Sequence, residues 1–199
     1  MNLLQAARLL LVFAHLLLCA FALQRLLVTD WRVLRARLGP DELAATHRVM
    51  VVLLAGLWAS GVALAAIDLG FDAARLAAEP KLACKLLVVG ALTANGVLLR
   101  AYCFPRVQAQ RPLGAVEAAI VCMSGAWSTT SWLIAAFLGV ARPLKHWPLP
   151  QLLAGYALAL AAASAVALLM ALLRPPLPGR RGAVEPAADA GTPGLMGAS

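Results

Sequence analysis

The chain is 199 residues long, 62% hydrophobic and 13% charged, with a formal net charge of +8 and a mean hydropathy of +0.83. About a quarter of an ordinary globular domain is charged, so this composition excludes a water-soluble domain. The basic residues sit between apolar stretches and not along one face of a soluble helix, so the charge belongs to membrane orientation and no nucleic-acid surface is implied.

Five apolar stretches run roughly over Leu3–Leu23, Val49–Ile67, Leu82–Ala101, Glu117–Val140 and Gln151–Leu173. At about 1.5 Å per residue each crosses the ~30 Å of hydrocarbon in a bilayer. The predicted fold is therefore all-α: a polytopic membrane bundle of five transmembrane helices over residues 1–174, followed by a Pro/Gly/Ala-rich cytoplasmic tail over 175–199 that is expected to be disordered.

In the first span, Arg8 precedes an apolar run ending in Ala20-Phe21-Ala22, which has the small-x-small look of a signal-peptidase site. The length of the run and the arginines that follow it (Arg25, Arg32, Arg35, Arg37) favour a retained helix. Cys19 follows Leu18, where a lipoprotein site wants a small residue. His15 lies near mid-span on a stripe with Arg8 and Cys19. Asp30-Trp31-Arg32-Val33-Leu34-Arg35 reads as an interfacial helix turn with Trp31 at headgroup depth. Leu38-Gly39-Pro40-Asp41-Glu42 reads as a turn leading into the acidic first turn of the second helix.

In the second span Ala55, Ala59 and Ala63 recur every fourth position beside Gly56 and Ser60, a pattern that lets helices approach closely in lipid. Residues 56–70 align without gaps to residues 125–139, with six of fifteen positions identical, including Trp58 with Trp127. The alignment suggests a 2+2 repeat of parallel hairpins with the fifth helix appended, against a background of chance similarity between chains rich in Ala and Leu. The third span opens with Lys81 and Lys85 and carries Thr93 and Asn95 deeper. In the fourth, Glu117, Ser124, Ser128 and Ser131 are spaced by seven, four and three and form one polar stripe, with Thr129 and Thr130 beside it. Trp127 and Trp132 lie mid-membrane, away from the interface that Trp normally marks. Small residues recur in the fifth span at Gly155, Ala162, Ala163 and Ser164. Arg174-Pro175-Pro176 ends it, since proline removes the amide donor.

Positive residues number eleven on the side of the first connection, the third connection and the tail, against six on the other. The positive-inside rule then puts the N-terminus outside and the C-terminus in the cytoplasm. Four cysteines without a Cys-x-x-Cys pair imply no disulfide framework. Arginine outnumbers lysine fourteen to three, a usage compatible with a GC-rich bacterial genome and hence a bacterial inner membrane.

Polar groups in hydrocarbon are the functional pointers, because a central charge costs roughly 2.5–3.5 kcal/mol even on the lenient insertion scale. His15, Asp68 and Lys85 all fall in the outer half of the expected topology and form one candidate cluster. Ser124, Trp127, Ser128, Ser131 and Asn95 form a second candidate, as a pocket or an interface. The three histidines lie at different depths and share no ligand spacing on one helix, so no metal site is expected. No phosphate loop, dinucleotide fingerprint, His-Glu-x-x-His or nucleophile elbow occurs.

The helix-one segment Phe13-Ala14-His15-Leu16-Leu17, the long basic loop after it, and the helix-three start Pro80-Lys81-Leu82-Ala83-Cys84-Lys85-Leu86-Leu87 resemble small bacterial membrane proteins of the CopD type. The layout over about residues 8–140 is similar also to the related membrane-bound protoporphyrinogen oxidase and to predicted membrane proteins of no assigned activity. In that oxidase family a helix-one histidine and a helix-three lysine are linked to haem. The resemblance therefore implies haem or metal association with His15 as ligand, Lys85 neutralising a propionate and Asp68 orienting a partner. The residues alone name no cofactor, no reaction and no oligomeric state. Two other readings stay open: a non-catalytic accessory or assembly subunit that contacts other membrane proteins or its own copies, and a small transporter using the Ser/Thr face of the fourth helix.

Overall fold

In the computed structural model the described residues are 2–35, 39–70, 72, 74–75, 78–109 and 113–173. The expected tail over 175–199 lies outside them. Every regular element among them is helical: α1 (Leu3–Leu34), α2 (Pro40–Leu69), α3 (Pro80–Leu98), a π turn (Leu99–Cys103), α4 (Phe104–Gln108), α5 (Ala115–Val140), a 3-10 turn (Arg142–His146) and α6 (Leu149–Leu173). Five membrane-length apolar spans result: Leu3–Arg32, Asp41–Leu69, Pro80–Gln108, Ala115–Val140 and Leu149–Leu173. The protein is an all-α, multi-pass membrane bundle.

The first helix is longer than expected. Residues 24–38 contain neither Gly nor Pro, so nothing breaks the hydrogen-bond ladder, and residues 30–34 continue α1 instead of forming a separate turn. α2 begins where the sequence signals place it, with Gly39 extended, Pro40 at the first position and Asp41 and Glu42 in the first turn. It ends at Gly70, which takes φ 64° and donates its amide to the Ala66 carbonyl. The third span carries a π turn beside Pro105. Proline has no amide to give the carbonyl four residues back and its ring crowds that carbonyl. Just before it, the Phe104 amide reaches the Leu99 carbonyl, five residues back. At the start of α5 the Gly114 amide donates to Glu117 Oε2 at 3.2 Å.

α1 and α2 form one antiparallel pair, and α3, α5 and α6 pack together beside it, joined to the pair through α1 on α5 and α2 on α4. Gly56 brings α1 and α2 close: a Cβ there would stand 3.1 Å from Leu18 Cδ1. Ser60 on the same face is buried, whereas Ala55 and Ala59 are exposed, so the packing row of α2 is Gly56–Ser60 and not the alanine row. Two apolar clusters hold the bundle. Ala22, Leu26, Leu92 and Trp132 join α1, α3 and α5, and Cys84, Val88, Leu138 and Leu152 join α3, α5 and α6. The outer surface is lined by large apolar side chains such as Leu9, Leu10, Phe13, Phe21, Leu158 and Leu172. A continuous apolar surface of this kind is the one a lipid-facing bundle needs.

Candidate functional site

One stripe of α1 makes three polar contacts with other helices. Arg8, His15, Cys19, Ala22, Leu26 and Asp30 follow one another at spacings of seven, four, three, four and four, so they share a face. At one end Arg8 makes a two-pronged ion pair with Asp68 on α2, Nε to Oδ1 at 2.6 Å and a second nitrogen to Oδ2 at 3.0 Å. Two turns further, His15 Nδ1 meets Ser60 Oγ at 2.7 Å. The single Ser60 proton points to the Gly56 carbonyl, also at 2.7 Å, so the hydroxyl accepts and His15 Nδ1 donates. That arrangement fixes the tautomer and leaves the lone pair on Nε2, which has no hydrogen-bond partner among the described residues.

The three residues of the first candidate cluster are thus only partly together. Asp68 is taken up by Arg8. Lys85 is within electrostatic reach of His15 and Cys19, and its Nζ lies 4.0 Å from the point a Cβ of Gly139 would occupy on α5. Neither of the two principal hollows of the molecule is lined by His15. Among the described residues no three of His, Cys, Asp and Glu come together as metal ligands. A tetrapyrrole would find the single imidazole of His15 in this cluster, and no chemistry is derived through haem.

The second candidate set is a helix-joining face at four of its five positions. Buried Asn95 donates through Nδ2 to the Ser124 carbonyl at 2.8 Å, tying α3 to α5. Buried Ser131 shares a 2.8 Å hydrogen bond with the Tyr156 hydroxyl of α6. Trp127 donates its indole N–H to Ser164 on α6 at 2.9 Å. Trp58, aligned with Trp127, likewise donates to a hydroxyl on the following span, Thr93 at 3.1 Å. Ser128 differs from the others because it faces a cavity.

That cavity, of about 220 Å³, lies between α1, α2, the π turn and α5, at the end of the bundle away from the N-terminus. Leu26, Met50, Leu54, Leu92, Phe104 and Trp132 form much of its wall, and Thr29, Asp30, Thr46, His47 and Ser128 supply the polar groups. Asp30 is half-buried. Its Oδ2 accepts from Thr129 Oγ1 at 2.7 Å, while Oδ1 has no hydrogen-bond partner among the described residues and is not sealed off. No ion pair to Asp30 exists among the described residues, whereas Asp68, Glu42, Asp72 and Glu117 each have an arginine. His47 packs edge-on against Phe104, ring centres 4.8 Å apart. The π turn contributes Leu99 and Cys103 to the wall, and such turns are frequent at functional sites.

The sequence reading placed Asp30 in an interfacial turn and Thr129 beside the polar stripe, and it counted neither of them, nor His47, among the site residues. A usable signal was present, since Asp30 continues the Ala22–Leu26 spacing, but it is visible only if α1 is allowed to run past Leu23. The chain matches no family model, no curated protein and no solved structure.

Proposed function

We propose that this chain is a small multi-pass membrane protein that binds a small organic cation, a protonated amine on a short apolar body, in the cavity beside Asp30. The observation that carries the reading is an apolar cavity holding a carboxyl with no cationic partner among the described residues. Charge in such surroundings is costly unless matched, so a cationic guest beside Asp30 is favoured. Three arginines of this end are engaged elsewhere: Arg32 with Glu42, Arg35 over the Trp31 ring and Arg106 with Glu117. The cavity is smaller than the roughly 300–1,000 Å³ of drug-sized sites, which restricts the guest to a small molecule.

Guest and proton compete for the free Asp30 oxygen. Binding therefore weakens as pH falls, and each guest bound releases up to one proton. This is the exchange step a proton-coupled carrier requires, with Ser128 and Thr129 of the polar fourth-span face at the site, so the small-transporter reading is preferred to the accessory subunit. With the N-terminus outside and the C-terminus cytoplasmic, as the loop charges favour, the cavity belongs to the cytoplasmic half.

Calorimetry on the detergent-purified chain tests the reading, with hexylamine as probe and hexanol as its neutral counterpart. Hexylamine is expected to bind and to lose about tenfold or more in Asp30→Asn, the scale of a hydrogen bond to a charged group. Equal binding of hexanol, or an unchanged Asp30→Asn, refutes it.

A second reading, the haem association implied by the CopD-like resemblance, is favoured by one observation: the Ser60 bond that leaves His15 Nε2 unprotonated. A partner that fixes the tautomer is the usual companion of a ligating histidine. Its test is a visible spectrum of the purified protein, with a Soret band that His15→Ala abolishes. A colourless protein from haem-supplemented cells ends that reading.

A further inference from the structure

At the end of the bundle where α3 begins and α5 stops, an open cleft is lined by Lys81, Lys85, Arg142 and Lys145, with Glu79 the single carboxylate. Two elements supply these groups, the start of α3 and the 3-10 turn after α5, and Leu138 and Gly139 at the end of α5 complete the wall. Among the described residues no ion pair joins any of the five. Lys81 uses one N–H on the Ala141 carbonyl at 2.8 Å, which caps the C-terminal end of α5 and suits a cation there. Among the described residues no hydrogen bond engages the other three cations. Lys85 sits one turn deeper on the same face as Lys81, a like-charge spacing that is unfavourable on a helix. Its ammonium reaches the end of α5, 4.0 Å from the point a Cβ of Gly139 would occupy. Four cations against one carboxylate, one of them drawn into the start of a membrane span, make a positive concavity that an anion neutralises.

We propose that this cleft binds a phosphate group. A phosphate offers several acceptor oxygens, enough for two ammonium groups and a guanidinium at once. The depth fits as well, because Pro80 opens the third span and Val140 closes the fourth, which puts the cleft at the level of lipid headgroups. The phosphate can come from an anionic phospholipid or from a free phosphate in the aqueous phase. Glu79, two residues before Lys81, opposes both.

The test uses the full chain purified in mild detergent. Native mass spectrometry with equal phosphatidylglycerol and phosphatidylcholine reads lipid retention, and a thermal-unfolding series with inorganic phosphate reads the soluble source. The wild type is expected to retain phosphatidylglycerol preferentially or to be stabilised by phosphate, and to lose about fivefold in binding for each basic residue removed. The variants are Lys85→Gln/Arg142→Gln and, leaving the span untouched, Arg142→Gln/Lys145→Gln. Removing two charges from the opposite end, Arg25→Gln/Arg48→Gln, is expected to leave binding unchanged. Lipid preference that phosphate does not compete away assigns the site to a headgroup; competition by phosphate alone assigns it to a soluble anion. The proposal is overturned if the wild type shows neither effect, if both cleft variants bind as the wild type does, or if the opposite-end variant loses as much.

Discussion

The His15–Ser60 contact makes an asymmetric expectation that a double-mutant cycle can check. Ser60 is 7% exposed and its hydroxyl both accepts from His15 at 2.7 Å and donates to Gly56 at 2.7 Å. Replacing Ser60 by Ala leaves the imidazole N–H without a partner in an apolar setting. Replacing His15 by Leu leaves the Ser60 hydroxyl still bonded to its own helix, and the polar ring gives way to an apolar side chain of similar size. Interhelical hydrogen bonds in membrane proteins average about 0.6 kcal/mol with a maximum near 1.7. Two short distances and a buried hydroxyl argue for the middle of that range, about 1 kcal/mol. Ser60→Ala should therefore cost about 1 kcal/mol in a wild-type background and nearly none of it beside His15→Leu, because removing both partners of a bond is close to neutral. The assay is reversible unfolding in mixed micelles of mild detergent and dodecyl sulfate, followed by helicity. Equal costs of Ser60→Ala in both backgrounds would refute the contact, and a larger loss in His15→Leu than in Ser60→Ala would refute the assignment of donor and acceptor.

Other expectations are simpler. Gly70→Ala should destabilise the α2 terminus by about 1–2 kcal/mol, the cost of a Cβ at positive φ, because nothing within 4 Å would clash and only the backbone φ of 64° is at issue; Gly70→Asn should recover part of it in the same unfolding assay. In detergent, N-ethylmaleimide should modify Cys19 and Cys122 before Cys84 and Cys103, which are 0% and 1% exposed, and dodecyl sulfate should abolish the difference; mass spectrometry of the peptides decides it. Reporter fusions at the two termini should report opposite sides of the membrane, as five spans demand, and reporters on one side would overturn the span count.

Much of the architecture was legible because lipid imposes a simple rule. A segment of about twenty apolar residues has no other low-energy state than a helix that satisfies its own backbone, so the five spans and the α2 start at Gly39-Pro40 could be read directly. Helix ends were less legible. Without Gly or Pro after Leu23 the chain had no marked stop, and the end of α1 was expected about ten residues too early. The π turn was missed as well, although Pro105 was its visible cause.

The sites divide along the same line. Residue spacing alone puts His15 on the Arg8 stripe and Ser124, Ser128 and Ser131 on one face, because helical periodicity is a local property. Which neighbour each meets is not local. Asp68 could have faced His15 or Lys85, and the helix pairing gave it to Arg8. Asp30 looked like an interfacial residue, and the approach of α1 to α5 turned it toward Thr129 and a cavity. The four cations of the cleft come from two elements far apart in the chain, so only their meeting reveals a shared charge. Periodicity and hydropathy act within one helix and are written in the chain; partner choice depends on how helices lean on one another, and that is settled only when the bundle packs.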